Sequence, residues 1–296
     1  MITKEMENAV VVEDVRDFDT DHIFDCGQCF RWNREPDGKY TGIAFGRPVK
    51  IGYDNENERL VIYNSDLEDF ENIWRKYLDL DRDYSYIKKE LSENDEIMAR
   101  AVEYGHGIRI LNQDKWETLV SFIISQNNNI PRIKKCIESL AVVLGNKAGE
   151  YEGRVFYNIP GPEVLAEASI SDLGPCRLGY RAEYLIKTAN KVIQDGVGSL
   201  DRLGSDEVSS EEVFETLKTY CGVGPKVANC IALFSMGRTD RFPIDVWVRK
   251  VMNRLYGIPE NDMRQMTEFA ASKFGEYGGI AQQYLFYYIT HSREVK

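Results

Sequence analysis

No stretch of the 296-residue chain approaches the roughly 18 consecutive apolar residues of a membrane span. The opening segment, MITKEMENAVVVEDVRDFD, has neither the basic flank nor the apolar run of a secretory signal. The expectation is a soluble, intracellular protein with no membrane partner. Histidine is scarce, with three in the chain, and the six cysteines (26, 29, 136, 176, 221 and 230) follow no disulfide-framework spacing. Cys26 and Cys29 form one C-x-x-C pair, but a zinc site needs a second ligand pair and none is evident. They read as buried thiols. A four-cysteine iron–sulfur run is missing too, so no such cluster is expected.

Positive charge is also in short supply: 37 Lys and Arg stand against 48 Asp and Glu, for a formal net charge of −11. That total counts against a nucleic-acid role unless its distribution says otherwise. Residues 1–112 hold 15 basic and 25 acidic side chains, and residues 113–296 hold 22 and 23. The acidity is therefore N-terminal. A nearly neutral second part can still present a locally basic face to phosphates.

What is present divides the chain at about residue 112. FRW, YTGIAFGRPVKIGY and RLVIYN combine aromatic and β-branched residues between the turns EPDG and DNENE, which predicts a small antiparallel sheet over about residues 8–64. The pattern turns helical at SDLEDFENIWRKYLDL, with Ser65 or Asp66 as cap and Leu67, Phe70, Ile73, Trp74 and Tyr77 at helical spacing. Further helices follow: WETLVSFIISQ behind Asp114, PRIKKCIESLAVVLG, PEVLAEA, AEYLIKTANKVIQDG, SEEVFETLKTY, PKVANCIALFSMG, DVWVRKVMNRLYG and AQQYLFYYI. The expected fold class is α+β: an N-terminal sheet domain (1–112) leading into an all-helical body (113–296).

The segment SSEEVFETLKTYCGVGPKVANCIALFSMG describes two helices joined by a tight glycine turn. Gly222 and Gly224 are expected to supply positive φ and leave backbone amides uncovered, and Pro225 suits the first turn of the second helix. Such amides can hold a DNA phosphate without reading bases, although an ordinary helical hairpin has the same pattern. Lys226 falls in that first turn, where the helix dipole disfavours positive charge and so favours a neutral, nucleophilic amine, although a surface lysine contacting phosphate fits the same position. In RFPIDVWVRK, Asp245 opens the next helix as an N-cap, a setting that keeps a carboxylate ionised. One helix and a return loop separate the two residues, enough to bring them together.

The hairpin CGVGPKVANC followed by FPIDV resembles the helix–hairpin–helix–GPD superfamily of DNA glycosylases, in the lysine form that makes a Schiff base with DNA. DCGQCFRW, SQNNNIPRI, LGYRAEYL and AQQYLFY narrow the resemblance to 8-oxoguanine DNA glycosylases of the type best known from eukaryotes. It runs discontinuously over about residues 20–290 and implies a TBP-like N-terminal sheet.

The resemblance also implies roles. The damaged nucleotide is flipped into a pocket. Asn127 enters the vacated space, Arg132 and Arg181 hold the estranged cytosine, and Tyr180 wedges the stack. The Gly27 carbonyl accepts the N7–H that 8-oxoguanine has and guanine lacks. Phe286 and Cys230 sandwich the base, Gln282 bonds its Watson–Crick edge, and Lys226 with Cys230 can align a dipole on the lesion. Lys226 is the nucleophile, Asp245 stabilises the sugar cation, and β-elimination follows. No cofactor is required, although hairpin carbonyls in relatives can hold a structural metal ion.

The sequence departs from the family at three positions. Cys221 stands where a proline is usual, Trp247 where eukaryotic members carry a phosphate-contacting histidine, and Ile289 where that histidine has a carboxylate partner. These departures suggest a bacterial or archaeal branch. The implied function is a glycosylase and lyase acting as a monomer on duplex DNA containing 8-oxoguanine paired with cytosine, in the cytoplasm at the nucleoid if the source is prokaryotic. The competing readings are a glycosylase for another lesion, such as an alkylated purine, and a non-catalytic DNA-binding hairpin module.

Overall fold

The computed structural model describes residues 1–196 and 198–292. Six antiparallel strands, β1 (Ile2–Met6), β2 (Ala9–Glu13), β3 (Trp32–Arg34), β4 (Tyr40–Ala44), β5 (Arg47–Asp54) and β6 (Arg59–Tyr63), pair in the order β1-β2-β6-β5-β4-β3. Alternation with period two brings apolar side chains to one face: Val10 lies opposite Ile62, Val12 opposite Leu60, and Ile62 opposite Ile51. Phe70, Trp74 and Tyr77 cover that face as part of the same buried cluster. Their helical segment begins at Asp66, whose carboxylate accepts from the Asp69 amide at 2.8 Å, and its Phe70–Trp74 turn is π-helical.

The helical body follows the expected starts and stops. Asp114 caps Lys115–Ser125, Asn129 caps Ile130–Leu144 with proline in the first turn, and Gly224 precedes Pro225–Ser235. The body also contains a two-stranded hairpin, β7 (Lys147–Tyr151) and β8 (Arg154–Tyr157), so it is not wholly helical. Its turn residues Glu152 and Gly153 have φ of 49° and 74°, the paired positive values of a hairpin turn whose twist matches its strands. The body's core also draws on earlier chain. Helices Tyr84–Ser92 and Glu96–Tyr104 bury Ile87, Met98 and Ala101 beside Ile123, Ile231 and Tyr284.

Several buried groups fix the loop that leads to Gly27. Asp19 caps the short helix Thr20–Phe24, and His22 Nδ1 accepts from the Gly107 amide at 3.2 Å. Asp19, His22 and His106 have potential ligand atoms within 4.8 Å of one another, and Asp19 Oδ1 and His22 Nδ1 accept from backbone amides. Gln28 is fully buried; its amide donates to the Ile23 and Arg109 carbonyls and accepts from Leu111 N. Burial pushes the Cys26 thiol up to about 12 and Cys29 well above its usual value, as expected for inert thiols.

Arg31 then joins the sheet domain to the body. Its guanidinium contacts Glu138 at 2.8 Å, Glu117 at 3.3 Å and the Tyr157 carbonyl at 2.7 Å. Desolvation works against the arginine's charge, but the two acids outweigh it. Burial pushes Glu117 up to about 7 even though Arg31 pulls the other way. The half-exposed Glu138 therefore sustains the ion pair, while Glu117 carries the desolvation cost.

Folded Glu117 holds its proton to about pH 7, against about 4.5 for the ordinary carboxyl, so its contribution to stability declines as pH rises through that window. Glu117→Gln should gain on the wild type by on the order of 1–3 kcal/mol between pH 5 and pH 8 in urea titrations. A pH-independent difference would show that Glu117 stays ionised throughout.

Candidate active site

The ends of five helices and the Gly27 loop converge on a cleft of about 840 Å³. Among its walls are Gly27, Asn127, Lys226, Asp245, Trp247 and Phe286, six residues singled out from the sequence. Lys226 lies in the first turn of Pro225–Ser235, its amine 5.2 Å from the centre of the Phe122 ring. One helical turn on, Cys230 is buried on the same helix face. Burial pushes the thiol up, with Lys226 offsetting part of the effect.

Asp245 is the N-cap of Val246–Tyr256, and one oxygen accepts from Trp247 N at 2.9 Å and Val248 N at 2.8 Å. The cap fixes the carboxylate at the cleft wall. Its second oxygen has no hydrogen-bond donor among the described residues.

Gly27 has φ +81°, and a Cβ built on it would lie 3.4 Å from the Phe286 ring. The backbone conformation requires glycine, and the peptide lies against the aromatic wall of the cleft. Gln282 is buried on the same helix as Phe286, with its oxygen accepting from the Gln283 amide at 2.8 Å. It lies behind the cleft wall rather than in it.

The asparagine segment forms the opposite rim. Asn127 is exposed and left-handed at φ 46°. Arg181 holds that turn from beneath: it is 4% exposed and donates to the carbonyls of Gln126, Asn127 (3.0 Å) and Leu178 (3.2 Å). Most of its donors thus meet backbone carbonyls beneath the turn, whereas the resemblance implied a group that holds the estranged cytosine. Arg132 is exposed and makes one long 3.5 Å bond, to the Arg177 carbonyl, so its guanidinium is available. Tyr180 is 49% exposed, packed edge-on against Tyr184 at 5.3 Å and stacked with Arg181 at 4.5 Å. The result is a rigid aromatic projection.

The two hairpin glycines differ. Gly222 has φ +80°, and a Cβ there would lie 2.5 Å from Tyr184, whereas Gly224 has φ −88° and open space around it. Positive φ is therefore required only at the first. Gly222→Ala should cost roughly 2–4 kcal/mol from strain and overpacking, and Gly224→Ala under about 1 kcal/mol. Urea unfolding of the two variants checks this, and equal losses would contradict it. Cys221, in the place of a proline, is held by its carbonyl, which accepts from Thr188 Oγ1 at 2.9 Å. The Tyr220 carbonyl accepts from Val223 N at 3.1 Å, so these two hairpin carbonyls are already partnered without a cation.

Trp247 is 40% exposed at the cleft mouth, while Ile289 is buried in the core. The positions of the family's histidine and carboxylate thus carry an exposed indole and an apolar packing residue. Sequence reasoning missed Arg31 and Gln28, whose partners lie up to 126 residues away, and it gave no role to Arg249, which also lines the cleft.

The family models agree with this architecture. Residues 10–119 match the 8-oxoguanine DNA glycosylase N-terminal domain, and residues 120–276 match the HhH-GPD superfamily base excision DNA repair protein. The chain is 31% identical to an N-glycosylase/DNA lyase of Saccharomyces cerevisiae, over 90% of this chain and 81% of the relative. It is 30% identical to the N-glycosylase/DNA lyase OGG1 of Arabidopsis thaliana, over 89% and 75%. Among solved structures, the Clostridium acetobutylicum 8-oxoguanine glycosylase/lyase bound to duplex DNA with cytosine opposite 8-oxoG superposes with a TM-score of 0.92. It is 43% identical, and 98% of each chain is covered. The chain belongs to the HhH-GPD superfamily of base excision DNA repair proteins, in the branch that carries the 8-oxoguanine DNA glycosylase N-terminal domain.

Proposed function

We propose that the protein is a DNA glycosylase and lyase that removes 8-oxoguanine paired with cytosine from duplex DNA. The observation that carries this reading is the cleft itself, where Lys226 and Asp245 share walls with the Gly27 turn and Phe286. The flipped base stacks on Phe286, and the Gly27 carbonyl accepts the lesion's N7–H. Guanine offers a second acceptor there instead, a mismatch worth roughly 1–3 kcal/mol.

The Lys226 amine, having lost its proton, attacks C1′ as the C1′–N9 bond breaks and its electron pair leaves with the base. Asp245 stabilises the positive charge developing on the sugar. Opening of the sugar ring gives a Schiff base at C1′. Loss of the C2′ proton then expels the 3′ phosphate and nicks the strand. Arg132 holds the estranged cytosine, whose edge offers acceptors to a guanidinium, and Arg181 supports this arrangement by fixing the asparagine turn. All these groups come from one chain, which fits a monomer. In a prokaryotic cell it works in the cytoplasm, at the nucleoid.

Duplexes carrying 8-oxoguanine, an alkylated purine or guanine, each incubated with borohydride, test the reading. Trapping on the 8-oxoguanine duplex alone is expected. Release of the alkylated base without trapping would assign the cleft to another lesion, and binding without release would leave a DNA-binding module. Replacing the paired cytosine by adenine should slow release clearly, and equal rates would remove Arg132 from its role.

A further inference from the structure

We infer that Arg249 and Lys250 form a phosphodiester-binding pair on the rim of the cleft, gripping the DNA backbone beside the reacting nucleotide. The inference rests on the DNA-processing role proposed above and begins from charge. The chain carries a net −11, and most basic side chains of its N-terminal part are tied to acids, among them Lys4, Arg34, Lys50 and Arg75. Arg249 and Lys250 have no acidic partner within ion-pair distance among the described residues. They are adjacent and half-buried, in the first two turns of Val246–Tyr256.

Their placement gives those charges a task. Arg249 lines the cleft and lies four residues after Asp245, hence on the same helix face. The carboxylate is engaged by the Trp247 and Val248 amides, and no salt bridge forms between it and the arginine. The guanidinium donors are therefore unspent at the cleft wall. Lys250 lies three residues after Trp247, with its amine 4.4 Å from the centre of that exposed ring. Arg249 thus shares the Asp245 side of the helix, and Lys250 sits on the Trp247 ring.

A polyanion entering the cleft must pass the fixed negative charge of Asp245. Unpaired cations next to it offset that repulsion and hold the backbone in register. A guanidinium matches two phosphate oxygens in its plane, and an ammonium adds a point charge. Contacts of this kind carry no base preference, so they should act on damaged and undamaged duplexes alike.

The test is the salt dependence of binding, measured by fluorescence anisotropy on a duplex with a tetrahydrofuran abasic analogue opposite cytosine and on its undamaged counterpart. Log affinity against log salt should flatten by about 0.9 for Arg249→Gln, by about 0.9 for Lys250→Gln, and by about twice that for the double variant, on both duplexes. Arg249→Lys should restore the slope, which packing loss alone would not do. Lys89→Gln, an exposed basic residue outside the cleft, should leave it unchanged. A double variant with the wild-type slope overturns the pair. If the wild type binds neither duplex, the proposed DNA-processing function fails first, and the two failures are told apart.

Discussion

Lys226→Gln is expected to abolish borohydride trapping and to lower base release by about 10³-fold or more, measured in single turnovers at saturating 8-oxoguanine duplex. Among the described residues that line the cleft the amine of Lys226 is the lysine nucleophile placed for attack on C1′, and loss of a covalent nucleophile removes a whole catalytic step rather than one contact. Glutamine keeps much of the length and the packing against Phe122, so affinity for the duplex should change far less than the rate. Trapping that survives in this variant would place the Schiff base on another amine. Lys250, on the Trp247 ring, would then be the first to examine.

Asp245→Asn is expected to lower the single-turnover rate by about 10²–10³-fold while leaving stability within about 1 kcal/mol of the wild type. Asparagine caps a helix about as well as aspartate, so the bonds to Trp247 N and Val248 N should persist. What disappears is the negative charge facing the sugar cation. The design separates the two roles of one side chain. If the variant unfolds early, the carboxylate acts mainly through the fold, and if the rate is unchanged its charge plays no part in the chemistry.

Much of this site was readable before any coordinates because its signals are local. Asp114 and Asp245 mark helix starts through bonds to amides two or three residues on, and the prolines at 131 and 225 do so through their fixed φ and missing N–H. Contacts across long stretches of chain left no such trace. Arg181 carries the same residue type as an exposed DNA contact, yet carbonyls 54 and 55 residues away accept three of its hydrogen bonds. Arg31 meets its acids 86 and 107 residues on, and neither acid lies in a motif.

Short elements were hidden for a different reason. The hairpin Lys147–Tyr157 buries no residue fully and so shows little hydrophobic alternation, and the five-residue helix Thr20–Phe24 is too short for a period to emerge. The two hairpin glycines look alike in sequence and differ in the fold, because only the contact with Tyr184 and the φ of Gly222 distinguish them. The net charge misled in the same way. The acidic total describes the chain, whereas Arg132, Arg249 and Lys250 remain without acidic partners among the described residues.

Peptide mapping by mass spectrometry of the borohydride-reduced adduct, formed on a duplex with one 8-oxoguanine opposite cytosine, bears most directly on the assignment of the nucleophile. The sugar remnant should be found on the peptide that contains Lys226, with the free base released in equal amount. Base released with no adduct, or a remnant carried by any other lysine or by the N-terminal amine, would contradict it.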